Sequence, residues 1–167
     1  ARMLAERKQA EERLKQDDAL LRLAGKTVAF GGWTADLAEN RVVWSDEVAA
    51  IHDMPAGSSP SVEEAIAFYA PEWRDRIARA FQACAAKGVA YDEELEIVTA
   101  QGRRRWVRTN GVPVRDEKGR IVRVQGSFQN ITERKLREEE HAFASRLIAL
   151  VGAPGDLHER LAELTRV

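Results

Sequence analysis

The sequence predicts an α+β fold, in which a five-stranded antiparallel sheet carries short helices on one face and is flanked by two longer, coiled-coil-like helices. Two patterns support this. Apolar residues alternate with period two in five segments, three of which follow one another late in the chain. Segments with helical periodicity precede those three and lie near both ends of the 167 residues. The 44% apolar content suffices for one buried core.

The first element is predicted to be a linker helix over residues 1–27. Residues 1–24 contain neither proline nor glycine and are rich in alanine, leucine and charged residues of high helix propensity. Leu14 and Leu21 are seven residues apart, which is the spacing of a coiled-coil stripe. Gly25 is expected to end the helical conformation.

Two strands and three helices are predicted next. Residues 30–45 show strand alternation on both sides of a turn. Ser45 or Asp46 is expected to cap a short helix, and Ser61 opens a Ser-Val-Glu-Glu capping box for a second. Pro71 is suited to the first turn of a third helix, and Gly88 is suited to its end.

The remaining core is predicted to be three antiparallel strands joined by turns. Tyr91, Leu95 and Ile97 share one face of the first strand. The second is expected over residues 103–114 and the third over residues 120–131, with glycine-containing turns between them.

A second long helix is predicted over residues 133–151, with Thr132 as its cap. Its apolar residues follow a spacing of seven, four and three: Leu136, Phe143, Leu147 and Leu150. One small chain cannot cover this stripe and the N-terminal one, so a homodimer is expected. Residues 152–167 are interpreted as the start of a following domain.

Composition excludes several classes of function. The 26 basic residues balance 27 acidic ones, so no global field attracts nucleic acid. The Arg103–Arg105 run is expected to pair with Glu94 and Glu96 on the neighbouring strand. A single cysteine and three histidines argue against a structural metal site. No segment is apolar enough to cross a membrane, and a cytoplasmic location is expected.

Five short motifs in this order resemble a bacterial PAS sensor domain with its trailing PAC segment. They are Gly32-Trp33 with Asp36-Leu37, Val43-Trp44-Ser45-Asp46-Glu47, Gly102-Arg-Arg-Arg-Trp106-Val107-Arg108, Asp116-Glu-Lys-Gly119 and Gly126-Ser-Phe-Gln-Asn130-Ile131-Thr132-Glu133-Arg134-Lys135. The family usually has aspartate at the position of Asn130. The resemblance spans residues 28–135 and assigns the sensor domain to residues 28–132.

The resemblance implies a sensor module without catalytic activity of its own. Such modules join other sensors to an output domain, for example a histidine kinase or a cyclic-di-GMP enzyme. Asn130, Ile131 and Thr132 would then form the junction that passes a signal to the outgoing helix. The last residues, from Leu147 onward, resemble the entry helix of a GAF domain.

A ligand pocket is expected between the sheet and the short helices. Its candidate lining residues are Trp33, Trp44, Phe68, Phe81, Glu93, Leu95, Ile97, Thr109 and Phe128. No cofactor is predicted, and any bound molecule is expected to be small, colourless and reversibly held. Glu93 falls on the inner face of its strand, where a carboxylate must contact a polar ligand, pair with an arginine or reach water near the strand end.

Two side chains invite a chromophore hypothesis, because some members of the family bind flavin or haem. Cys84 lacks the motif that surrounds the reactive cysteine of flavin-binding relatives and is interpreted as a small core residue. His52, at the end of a short helix, is interpreted as a capping or surface residue. Two other functions compete with sensing: a constitutive dimerisation module and, less favoured, a small-molecule enzyme using Glu93.

Overall fold

The computed structural model describes residues 2–152, and their side chains except at 18–28 and 152. The elements are α1 (Arg2–Val28), β1 (Phe30–Asp36), β2 (Arg41–Trp44), α2 (Asp46–Ile51), α3 (Val62–Ala67), α4 (Pro71–Lys87), β3 (Tyr91–Val98), β4 (Arg104–Arg115), β5 (Ile121–Asn130) and α5 (Thr132–Gly152). The chain divides into two compact units, Ala1–Ile131 and Thr132–Val167.

The five strands form one antiparallel sheet in the order β2-β1-β5-β4-β3. The last strand in sequence therefore lies at the centre, between the first strand and the fourth. The predicted α+β class and five-stranded sheet are confirmed. Leu95, Val107 and Val124 are fully buried on three neighbouring strands, and they form the floor on which the short helices pack.

The predicted capping residues of the short helices are confirmed. The Ser45 hydroxyl accepts a hydrogen bond from the Val48 N–H at the start of α2. The Ser61 hydroxyl accepts from the Glu64 N–H at 3.1 Å, and the Glu64 carboxylate accepts from the Ser61 N–H at 2.8 Å. Each such cap contributes about 1 kcal/mol. Gly88 ends α4 in the left-handed region, with φ of 73°.

Two predicted helix boundaries need correction. Gly25 does not end α1, which continues to Val28. A glycine inside a helix costs only about 1 kcal/mol, and the helix ends instead where Ala29 adopts a φ of 46°. Thr132 is the first residue of α5 rather than the residue before it.

The ladder between β4 and β5 is interrupted near the middle of the sheet. Thr109 pairs with Phe128, and pairing resumes where Val112 faces Gln125. Between these points the Asn110 side-chain oxygen accepts a hydrogen bond from the N–H of Ser127 at 2.7 Å. A Cβ on Gly126 would overlap the Asn110 carbonyl group, so only glycine fits there.

The arginine run at the start of β4 is paired with carboxylates. Arg104 contacts Glu96 across the strand pair at 2.7 Å and also Glu72. Arg103 and Arg105 both contact Asp53, a partner that the sequence did not indicate. These arginines form intramolecular ion pairs.

The helix α5 carries exposed apolar side chains along its length. Leu136 is 55% exposed and Phe143 is 56% exposed. Leu147 and Leu150 are half-buried. On the N-terminal helix α1, Leu14 is 69% exposed, whereas Leu21 lies among the residues whose side chains are not described. No helix among residues 2–152 is both long and apolar enough to span a membrane. Residues 153–167, which make up most of the proposed GAF-like segment, lie outside the described residues.

Candidate functional site

A cavity of about 50 Å³ lies between the inner face of the sheet and the helices α3 and α4. All five strands, the helices α3 and α4, and the segments that follow α2 and α3 contribute to its wall. Its lining residues are Trp33, Val42, Trp44, His52, Val62, Ala65, Ile66, Tyr69, Ile77, Phe81, Tyr91, Thr109 and Phe128. None of them is a carboxylate, a lysine or an arginine, so the wall is apolar with a few uncharged polar groups.

The polar group that distinguishes this wall is His52, whose residue is only 2% exposed. It occupies the C-terminal cap of α2, and its Nδ1 lies 2.8 Å from the carbonyl oxygen of Val48. Burial lowers the pKa of His52 to about 4, because the charged ring would lose its hydration. The hydrogen bond to Val48 and nearby Asp53 oppose this change, whereas Arg105 reinforces it. The ring is therefore neutral at physiological pH.

The imidazole lies in an aromatic cage built from three separate elements. It stacks on Trp44 with ring centres 4.2 Å apart and an angle of 13°. Phe128 is tilted against it at 4.8 Å, and Phe68 contacts it edge-on at 5.0 Å. Because β2, β5 and the end of α3 each supply one ring, the cage connects the short helices to the centre of the sheet.

The other polar groups of the wall are hydroxyls. The Tyr69 hydroxyl hydrogen-bonds to Thr109, so these two groups satisfy each other. Burial raises the pKa of Tyr69 above its usual value, and the pKa of Tyr91 rises for the same reason. Both phenols are therefore neutral. The Tyr91 ring packs over Gly111, where a Cβ would overlap it.

A pair of arginines holds the turn that carries His52. Arg105 donates to the carbonyl oxygens of Ala50 and Ile51 at 3.2 and 2.5 Å, at the C-terminal end of α2. It also contacts the Asp53 carboxylate at 3.0 Å, while Arg103 binds the same carboxylate. The hydrogen bond from Arg103 is the main reason why the pKa of Asp53 lies below its usual range. We call Asp53, Arg103 and Arg105 the arginine clamp.

Five of the nine predicted pocket residues line the cavity: Trp33, Trp44, Phe81, Thr109 and Phe128. The others do not. Phe68 contacts the His52 ring edge-on but does not line the cavity. Leu95 and Ile97 are fully buried in the core and do not border the cavity either. Alternation identifies the inner face of a strand, but only residues opposite a gap between the helices border a cavity.

Glu93 also lies away from the cavity lining. Its carboxylate forms an ion pair with Arg76 of α4, with an N–O distance of 2.6 Å. Of the alternatives that the sequence left open, the pairing with an arginine is the one the structure has. The ion pair supplies the polar partner that this carboxylate needs on the inner face of β3.

The surface interpretation of His52 is wrong. The residue does cap α2, but its ring points into the core, where Trp44 and Phe128 cover it. The sequence contained one signal for this position: His52 is four residues after the buried Val48, on the same helical face.

The described residues do not fit a haem or a flavin. The cavity is about one third of the roughly 150 Å³ that holds a benzene molecule in an engineered core. Cys84 is buried, does not line the cavity, and burial raises the pKa of its thiol. Within residues 2–152, no cluster of three histidine, cysteine or carboxylate side chains forms a metal site.

The sheet order, the helices on one face and the cavity between them match a known family. A family model described as the PAS fold matches residues 41–128, which is just over half of the chain. The chain belongs to the PAS-fold family. The resemblance to a PAS sensor domain is thereby confirmed.

The individual proteins similar to this PAS domain share only 20–24% of its sequence in the aligned regions, and their names describe sensors. The sensor protein FixL of Bradyrhizobium diazoefficiens is 24% identical over 105 residues, which cover 63% of this chain and 21% of that protein. A sensory box histidine kinase/response regulator from Burkholderia thailandensis has 22% identity and a TM-score of 0.60, covering 75% of this chain and 94% of that structure. The N-terminal domain of a diguanylate cyclase with a PAS/PAC sensor, from Marinobacter aquaeolei, has 20% identity and a TM-score of 0.59, covering 64% and 98%.

The end of β5 in the PAS domain is held on two sides. The N–H of Asn130 donates to the carbonyl oxygen of Ala29 at 3.0 Å, and the N–H of Ile131 donates to that of Trp106 at 2.8 Å. Ile131 is buried, and α5 begins at the next residue, Thr132. Only Gln129 and Asn130 separate the cavity residue Phe128 from Ile131, the last residue before the helix.

Proposed function

We propose that this PAS domain is the sensing and relay part of a multidomain bacterial signalling protein. In this proposal, a small molecule in the cavity, or a change in an adjacent domain, alters the packing around Phe128. The displacement passes along the last residues of β5, through Asn130 and Ile131, to the helix that begins at Thr132. The observation that carries the proposal is that Phe128 lines the cavity only four residues before α5.

The role of the parent protein follows from the kinds of protein in which similar domains occur. We propose that its output is a histidine kinase or a cyclic-di-GMP enzyme, because one structural relative is named as a histidine kinase and another as a diguanylate cyclase. The PAS domain itself would be regulatory rather than catalytic. We propose that it acts in the cytoplasm, between a preceding sensor and the output domain.

A test of the relay changes the cavity without changing α5. Ala65 lines the cavity from α3, whereas Ala67 on the same helix is exposed. Ala65→Leu should push against the cavity wall and change hydrogen exchange in residues 133–150 several-fold. Ala67→Leu adds the same side chain outside and should leave that exchange unaltered. Equal exchange of α5 in both variants, while exchange in the sheet of Ala65→Leu differs, would contradict the relay.

We further propose that the module works as a homodimer through α1 and α5. The support is the exposure of apolar residues that a single chain leaves in water, among them Leu14, Leu136 and Phe143. Sedimentation at tens of micromolar should show a dimer. Leu147→Glu should weaken it by placing a charge on the predicted stripe, whereas Ala149→Glu, off that stripe, should not. A monomer in the unmodified chain would refute this part.

A second candidate function is a constitutive dimerisation module that binds no ligand. The small cavity volume favours it, because the side chains of the wall already fill most of the space. The same Ala65→Leu experiment separates the two functions, since a purely structural module has no reason to transmit a change in the cavity to α5.

A further inference from the structure

His52 lines the cavity, and its Nε2 atom has no hydrogen-bond partner among the described residues. The neutral His52 ring carries its single proton on Nδ1, because that nitrogen lies 2.8 Å from a carbonyl oxygen, which can only accept. The other ring nitrogen, Nε2, is therefore a hydrogen-bond acceptor. Among the described residues, none donates a hydrogen bond to it.

The charged groups nearest to His52 do not line the cavity. Arg105, on β4, and Asp53, which follows α2, form an ion pair with each other at 3.0 Å. The remaining polar groups of the wall, Tyr69, Thr109 and Tyr91, are uncharged. A charged ligand would lose its hydration and find no opposite charge in the wall.

The cavity volume limits the size of a ligand. The space of about 50 Å³ exceeds the roughly 10 to 15 Å³ that one water molecule needs and falls well below the roughly 150 Å³ that holds benzene. A molecule of a few heavy atoms fits without rearrangement of the wall. Its apolar part would contact Ile77 and Phe81, which line the same space.

We propose that the cavity binds small uncharged molecules that carry one N–H or O–H donor, and that His52 Nε2 accepts the hydrogen bond that selects them. This ligand class rests on the sensing function proposed above. His52 would favour a donor over an acceptor of equal shape, because only the donor gives Nε2 a hydrogen-bond partner. The apolar wall would exclude ions of the same shape.

Three planar compounds of nearly identical shape test the proposal: acetamide, which is neutral and has a donor, acetone, which is neutral and has none, and acetate, which is charged. The His52 ring resonances are followed by nuclear magnetic resonance at pH 7.5 in the full chain, with the exposed His141 as internal control. Acetamide should shift the His52 signals saturably at millimolar concentrations, and both other compounds should bind at least about tenfold more weakly.

Two variants separate selection by His52 from simple filling of the cavity. In His52→Phe, which keeps an aromatic ring but lacks the acceptor, tryptophan fluorescence should show that the preference for acetamide over acetone falls to about one. In Ala65→Leu, which keeps His52 and reduces the space, binding of both compounds should be lost. Acetone or acetate binding as tightly as acetamide, or saturating acetamide without a shift of His52, would overturn the inference.

The outcomes also separate this inference from the relay. Acetamide binding at His52 without any response of α5 supports the ligand class and counts against the relay. A response of α5 to Ala65→Leu, with no selective binding of acetamide, counts against the ligand class and leaves the relay standing.

Discussion

Protonation of His52 should destabilise the PAS domain as the pH falls below about 6.5. The folded-state pKa of about 4 lies below the ordinary value of 6.5, so the unfolded chain binds the proton more readily than the folded one. The stabilisation is complete above pH 6.5 and is lost progressively as the pH falls towards 4. Linkage gives a loss of about 2 kcal/mol at pH 5 and about 3 kcal/mol once both states are protonated.

The assay is urea unfolding, followed by tryptophan fluorescence, at pH 7.5 and pH 5.0. The pH of 5.0 isolates the histidine, because arginines hold the pKa of Asp53 and of Asp92 below the ordinary 3.8 of an aspartate. His52→Asn retains a donor for the carbonyl oxygen of Val48 but cannot titrate. This variant should be less stable than the unmodified chain at pH 7.5. Between pH 7.5 and pH 5.0, it should lose about 2 kcal/mol less free energy of unfolding than the unmodified chain does.

A matched control is His141→Asn, which removes an exposed histidine from α5 and should preserve the full pH dependence. If His52→Asn and the unmodified chain lose the same free energy of unfolding between the two pH values, His52 does not cause the pH dependence. A His52 ring that titrates near pH 6.5 in the folded protein would equally refute the prediction, because burial would then not depress its pKa.

Three further substitutions test the framework around the cavity. Gly126→Ala should reduce the free energy of unfolding, measured in urea, by at least about 2 kcal/mol, because the added Cβ overlaps β4. Gly32→Ala is the control, since its Cβ would have its nearest neighbour at 3.8 Å, and it should cost less than about 1 kcal/mol. In the arginine clamp, Arg105→Met should lower the free energy of unfolding by about 2 kcal/mol, and Arg103→Met by about 1 kcal/mol or less. The reason is that the Arg105 side chain is 19% exposed, whereas that of Arg103 is 56% exposed. Equal losses in the two variants would contradict this prediction. Ser61→Ala should cost about 1 kcal/mol and speed hydrogen exchange in α3, and unchanged exchange would rule out a stabilising cap.

The local rules of the chain made most of the fold predictable. Ser61 with Glu64, Pro71 and Gly88 each mark a helix boundary through a hydrogen bond or a backbone angle that depends only on neighbouring residues. The alternation along β3 also placed Leu95 correctly on the buried face. Such features are readable because their causes lie within a few residues of the feature itself.

The cavity was predictable only in part, because its causes are distant in sequence. His52 is buried through contacts with Trp44 and Phe128, which are 8 and 76 positions away (52 − 44 and 128 − 52). Glu93 has an arginine partner on α4, and strand alternation alone cannot identify such a partner. The arginine clamp likewise joins the turn at Asp53 to residues 50 or more positions later.

The interrupted β4–β5 ladder gives the sheet uneven mechanical stiffness. On the side of β1, pairing continues past the gap, with Gly32 opposite Ser127 and Trp33 opposite Gly126. On the side of β4, the gap leaves the last residues of β5 attached to that strand by a short group of pairs that ends at Phe128. A load applied where β5 leads into α5 therefore falls first on this short group of β4 pairs and on the β1 pairs beside it.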